Sequence, residues 1–268
     1  MAWKKYCTML LGVFFTGLVI YAAATEWMVH RLNETYVGDA VVIDRQLHEN
    51  ALYGSALTND TGFLKYGIIS RTQPEIIALG TSRAMQFRAP FFKDATFYTT
   101  GGLGRSVDAM EEIFDRISST YVPKIVILAV DWFWFNPNHS PAKVPSIFEE
   151  DHPLSNRAYL YGSLYRELLK NENVRTQLVH PEIAARDLIG NRLTIGLMAG
   201  AKSNGFRSDG SYQSGEHILH HKSTVERFAD THRTIREGGG MFEWADQVDE
   251  RELLKLASLI AKMRERGA

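Results

Sequence analysis

The chain opens with a long, uninterrupted apolar run. Tyr6–Thr25 contains no charged side chain, and a helix of this length spans about 30 Å, the thickness of a bilayer hydrocarbon core. Lys4 and Lys5 precede the run, and Trp27 follows it. This pattern predicts one membrane helix with its N-terminus in the cytoplasm and an interfacial aromatic at its outer end.

Two fates of this segment remain open. Ala22-Ala23-Ala24 resembles the small-residue cleavage site of a secretory signal peptide. The length of the apolar run favours an uncleaved signal anchor over residues 1–30. In both cases we expect the rest of the chain on the extracytoplasmic side of the membrane, periplasmic or extracellular.

After a lead-in over 31–73, the pattern becomes that of one α/β domain over 74–268. Residues 75–79 and 124–130 are continuous apolar runs, typical of parallel strands covered on both faces. A helix that Ser106 can cap lies between them. The order strand, helix, strand predicts that the two strands are parallel neighbours, or near neighbours, in one sheet.

The second half of the chain is predicted to be mainly helical. Residues 137–215 are expected to form a helical insertion, with helical patches near Leu154–Leu169 and Pro181–Leu197. A parallel strand usually follows an amphipathic helix in such folds, so we expect an incomplete C-terminus and an exposed apolar groove beside one of the two strands. The last helix is predicted to present one apolar face, made of Leu253, Leu256, Ala257, Ile260 and Met263.

Composition narrows the classes of function. The formal net charge is -1, which provides no general attraction to nucleic acid, so we expect no nucleic-acid partner. The single cysteine, Cys7, lies in the apolar segment, which excludes an intramolecular disulfide framework.

Candidate chemistry lies where the predicted strands end. Ser82 follows the first strand, Gly101 ends a second β-prone run, and Asp131 follows the strand at 124–130. Ligands of open α/β sheets bind beyond the carboxyl ends of the strands, so Ser82 could present a nucleophilic hydroxyl there. The alternative is that Ser82 is a plain helix N-cap.

This ordered set resembles the SGNH (GDSL-like) hydrolase superfamily, in particular membrane-anchored members encoded with bacterial surface-polysaccharide O-acylation systems. PEIIALGTSRAMQFR, FYTTGGLGRS and IVILAVDWFWFN resemble its first three blocks, and the resemblance covers about residues 74–136, extending loosely through GFRSDGSYQ. It implies a parallel-sheet, flavodoxin-like three-layer fold with Ser82 as the nucleophile. The N–H groups of Ser82 and Gly101 would then hold the oxyanion, with Thr99 at the family's asparagine position.

The chain departs from the family at two points. Asp131 stands roughly where the third block has asparagine, and an ionised carboxylate cannot donate to an oxyanion. The family's Asp-x-x-His block, which supplies the base, is absent. His217 and His221 are the fallback bases, although these histidines could instead form a solvated polar face or a metal pair. Without a base, we expect hydrolysis of simple acetyl esters barely above background.

Further side chains allow two interpretations each. Arg83, a possible site residue, and Arg88 could bind an anionic group or pair with nearby carboxylates. The aromatic run Trp132–Phe135 could stack against sugar rings or pack in the core.

Together these features predict a serine-dependent esterase or O-acyltransferase acting on acyl groups of a cell-envelope polysaccharide. The expected substrate is an acylated glycan or acyl donor, the candidate partner is a membrane acyltransferase, and no metal or organic cofactor is expected. The alternative is a catalytically inactive or truncated SGNH-like domain that serves as a glycan-binding or scaffold protein in a membrane assembly.

Overall fold

The computed structural model describes residues 2–32, 34, 39–56, 61–139, 155–180, 186–215, 218 and 224–268. The helices are α1 (Ala2–Arg31), α2 (Asp39–Glu49), α3 (Gly62–Thr72), α4 (Val107–Ser118), α5 (Ser155–Lys170), α6 (Glu172–Val179), α7 (Leu197–Lys202), α8 (Thr224–Glu237) and α9 (Glu250–Glu265). The strands are β1 (Leu52–Tyr53), β2 (Ile76–Gly80), β3 (Phe97–Thr99), β4 (Ile125–Ala129), β5 (Thr194–Ile195), β6 (Asn204–Phe206) and β7 (Tyr212–Ser214).

A parallel sheet with the strand order β3-β2-β4 forms the centre of the domain. Strand β2 is buried along its whole length, and it pairs with β4 from Ile76–Ile125 to Gly80–Ala129. The predicted parallel pairing of the two apolar runs is therefore confirmed. Strand β4 is an edge strand in the described part of the chain, and its first residue, Ile125, is 52% exposed; the apolar groove expected beside a strand stays a prediction.

Helix α4 covers the sheet and receives the C-terminal helix α9. Ser106 caps α4 as predicted, since its hydroxyl accepts a hydrogen bond from the N–H of Ala109 at 3.1 Å. Phe114 of α4 belongs to the same core cluster as Leu259 and Met263 of α9. The predicted face of α9 is wrong in part, because Leu253 and Ala257 are exposed while Leu259 is fully buried.

A second sheet, β5-β1-β6-β7, is formed between the lead-in and the predicted insertion. The insertion is therefore not purely helical. The helical patch predicted near Pro181–Leu197 is wrong where it is described, because Arg186 bridges Leu193 and β5 follows directly. Asn191 takes a left-handed φ of 54° in the intervening turn, and β-branched residues then favour the strand.

The turn between β6 and β7 joins the two sheets. The N–H of Thr99, on the edge strand β3, donates to the carbonyl of Asp209 at 2.9 Å. Gly210 has a φ of +77°, and a Cβ there would lie 2.2 Å from the Thr99 carbonyl oxygen. Only glycine therefore allows this turn to approach β3 so closely.

Helix α1 combines an exposed apolar part with a packed end. An 18-residue window within its span Trp3–Arg31 has a mean hydropathy of 2.0, and the span is long and apolar enough to cross a membrane. Val29 and Leu32 are buried against Leu160 and Leu164 of α5. A membrane helix that continues into the domain core would hold the domain at a defined position relative to the bilayer.

Two leucines of α9 test the packing of this helix. Leu259 is fully buried and Leu254 is 69% exposed. We expect Leu259→Ala to lower the free energy of unfolding by about 2–5 kcal/mol, and Leu254→Ala to change it by less than about 0.5 kcal/mol. Urea unfolding of the full chain in detergent measures both; equal effects would contradict this packing.

Candidate active site

Ser82 lies at the carboxyl end of the central strand. It is the first residue of a 3-10 helix, Ser82–Gln86, for which Thr81 is the N-cap without a side-chain hydrogen bond. The interpretation of Ser82 as a plain N-cap is therefore wrong. Ser82 is exposed, and its N–H belongs to the first turn, where backbone donors have no intrahelical partner.

A cleft of about 450 Å³ opens beside this serine. Ser82 and Asp131 both line it, as expected for residues that follow two parallel neighbouring strands. Arg83 donates to Asp131 Oδ1 at 2.5 Å. The Asp131 side chain is buried and that of Arg83 is 55% exposed. Of the two interpretations of Arg83, the structure therefore favours an ion pair with a nearby carboxylate over a free anion-binding group.

The loop after β3 also lines the cleft, through Gly102 and Arg105. The Gly80 carbonyl accepts the N–H groups of Gly102 and Gly104 at 3.0 and 3.1 Å, which binds this loop to the end of β2. A Cβ on Gly101 would lie 2.4 Å from the backbone nitrogen of Met85. The absence of a side chain at Gly101 thus lets the loop pack against the helix that carries Ser82.

The predicted oxyanion donor Gly101 already has an acceptor. Its N–H donates to Thr99 Oγ1 at 3.0 Å, and the Thr99 hydroxyl donates in turn to the Ala84 carbonyl at 3.0 Å. Gly101 would have to exchange this acceptor in order to hold an oxyanion. Thr99 is fully buried, and its hydroxyl connects the loop to the Ala84 carbonyl beneath it.

Lys65, a residue that the sequence pattern did not single out, supports the same loop from below. It is almost completely buried, and its ammonium donates to the carbonyls of Gly101 at 2.5 Å and Gly210 at 3.3 Å. Burial lowers the pKa of Lys65 to about 7, against the opposing effect of the Asp209 charge. No carboxylate contacts this ammonium in the described part of the chain. Hydrogen bonds to two backbone carbonyls therefore stabilise its charged form.

His139 is the histidine that sequence analysis missed. It lines the cleft with Ser82, and its ring packs edge-on against Phe133 with 5.0 Å between centroids. No motif marks it, because it follows Asp131 after the 3-10 helix Trp132–Phe135 and a turn, and no Asp-x-x-His spacing includes it. The fallback bases His217 and His221 lie outside the described residues.

The aromatic run after β4 divides between core and surface. Trp134 is 5% exposed, whereas Trp132 is 48% exposed and lies 5.6 Å from the Phe242 ring. Trp132, Phe242 and Trp244 line a second groove of about 260 Å³. Among the residues that the structure describes, no group of three potential metal ligands occurs.

Comparisons with known proteins do not identify the chain. No family model matches it, and neither the curated proteins nor the solved structures contain a match. The function of the cleft must therefore be inferred from its own residues.

The lowered pKa of the buried Lys65 predicts how the free energy of unfolding depends on pH. Between pH 7 and 10 the unfolded chain keeps the Lys65 proton while the folded chain loses it, so this lysine makes stability rise with pH, by up to about 1.4 kcal/mol per unit. We expect Lys65→Met to remove that contribution, and Lys93→Met, at an exposed lysine, to retain it. Urea unfolding from pH 6 to 10 measures the difference; parallel curves for all three proteins would contradict it.

Proposed function

We propose that the chain is a serine-dependent esterase or O-acyltransferase that acts on acyl groups of a cell-envelope polysaccharide. The observation that carries this proposal is the position of Ser82, exposed at the end of β2 in a cleft that it shares with His139. The SGNH-like order of the blocks around Ser82, Gly101 and Asp131 supports the same assignment.

The chemistry follows from these two side chains. Ser82 Oγ attacks the acyl carbonyl carbon while the His139 imidazole takes the hydroxyl proton. Collapse of the tetrahedral intermediate forms the acyl-serine and releases the alcohol, which receives the proton from His139. Water or a glycan hydroxyl then attacks the acyl-serine, which distinguishes the esterase from the transferase. The first N–H groups of the 3-10 helix stabilise the oxyanion.

Ester hydrolysis by the full chain in detergent tests this assignment. We expect an activated acetyl ester to be turned over, because His139 provides the imidazole that the absent Asp-x-x-His block does not. Ser82→Ala should abolish turnover, with a loss of about 10⁴-fold or more, and His139→Ala should lower it by about 10²- to 10⁴-fold.

His48→Ala is the matched control, because this histidine is on α2 with a side chain that is 75% exposed. Full activity in His139→Ala with loss in His221→Ala would transfer the role of base to the His217–His221 segment. Equal, negligible rates in the wild type and in Ser82→Ala would refute the enzymatic proposal.

We also propose that α1 is an uncleaved anchor with the domain on the extracytoplasmic side. Lys4 and Lys5 before the apolar span support this orientation. A reporter that is active only outside the cytoplasm, fused after Arg31, is expected to be active. Activity of a reporter that works only in the cytoplasm, fused at the same point, would reverse the topology.

A second candidate function is glycan binding without turnover. The exposed groove beside the cleft favours it, since Trp132 is 48% and Trp244 is 75% exposed, and indole faces suit the apolar faces of sugar rings. The engagement of the Gly101 N–H by Thr99 also fits a domain that does not form an oxyanion hole. Sugar binding that survives Ser82→Ala in a chain without esterase activity would favour this function.

A further inference from the structure

Three arginines from distant parts of the chain meet beside the β6–β7 turn. Arg192 and Arg207 both donate through Nη2 to the same acceptor, Gln213 Oε1, the latter at 3.1 Å. The charge of Arg88 acts on Arg207, and the N–H of the next residue, Ala89, donates to Asp209 Oδ2 in the same turn at 2.9 Å.

The carboxylates nearby do not neutralise all three. Burial would raise the pKa of Asp187, but hydrogen bonds from the Arg192 and Gln213 side chains and from backbone N–H groups outweigh it and lower this pKa to about 2. Asp209 accepts from the backbone of Ala89 and from the backbone and hydroxyl of Ser211. Three guanidinium groups against two carboxylates leave one positive charge in excess.

Each of these arginines also has an unused donor. The Nε atoms of Arg88, Arg192 and Arg207 are buried and have no hydrogen-bond partner. Burial, followed by the repulsion of Arg88 and Arg192, lowers the pKa of Arg207 to about 10. Buried donors without acceptors and like charges held together are both unfavourable unless a ligand compensates them.

We propose that Arg88, Arg192 and Arg207 form a binding site for an anionic group, a phosphate, sulfate or carboxylate. Guanidinium groups bind such oxyanions through paired N–H donors. The contrast with Arg83 supports the assignment: Arg83 has Asp131 as its partner, whereas Arg88 has no ion pair in the described structure. The site does not depend on the chemistry of Ser82.

Thermal unfolding of the full chain in detergent tests this site. Inorganic phosphate and sulfate represent tetrahedral oxyanions, and glucuronate represents the carboxylate of an acidic sugar. Each is compared with sodium chloride at equal ionic strength. We expect at least one of them to raise the unfolding midpoint in a saturable manner, and the responding anion identifies the source of the charged group.

Arg88→Ala should abolish this shift, and Arg88→Lys should weaken it, because lysine keeps the charge but lacks the planar donor pair. Arg71→Ala, at an exposed arginine of α3, should retain the shift. Since Arg88→Ala removes a repelled charge, its midpoint without ligand should not fall below that of the wild type.

Two results would overturn the proposal. One is the absence of a saturable shift for all three anions up to about 10 mM, well above a Kd of about 1 mM. The other is an equal shift in the wild type and in Arg88→Ala, which would assign the stabilisation to a general salt effect or to another surface.

Discussion

The carbonyl oxygen of Gly80 accepts the N–H groups of Gly102 and Gly104, and the candidate site depends on this double contact. Gly80 ends the buried central strand and also pairs with Ala129 of β4. One backbone position therefore fixes three features: the start of the 3-10 helix Ser82–Gln86, the loop that contains Gly102 and Gly104, and the neighbouring strand that leads to Asp131. A Cβ at Gly80 would lie 2.7 Å from both Cβ and the carbonyl oxygen of Ala129, so the arrangement requires glycine.

Beneath this contact, the domain buries the amine of Lys65, although an apolar side chain there would carry no comparable desolvation cost. Lys65 joins the Gly101 loop to the Gly210 turn through their carbonyls, and its ammonium lies 4.6 Å from the centroid of the Phe206 ring. Backbone carbonyls and an aromatic face compensate only part of the lost hydration. A buried lysine that connects two loops specifies their relative position, since neither carbonyl can turn away without losing its donor.

The charged residues around the sheet fall into two kinds. Arg83 and Asp131 form an ion pair at the cleft, and Lys262 of α9 pairs with Asp115 of α4 at 2.9 Å; such pairs orient side chains and elements. Arg88 and its arginine neighbours differ because their donors exceed the acceptors around them. The two proposed sites thus flank the 3-10 helix Ser82–Gln86, one at its start and the other just after its end.

Local patterns in the sequence were enough to predict several elements. Continuous apolar runs predicted β2 and β4 and their parallel pairing, Ser106 predicted the start of α4, and an uncharged run predicted the candidate membrane helix, because burial on both faces, capping and bilayer thickness each constrain consecutive residues. The burial of Lys65, the cleft that His139 shares with Ser82 and the strand β5 in place of an expected helix became evident only from the folded chain. These outcomes depend on contacts between residues far apart in the chain, which hydrophobic periodicity does not record, and a lysine on a helix otherwise indicates a solvated face.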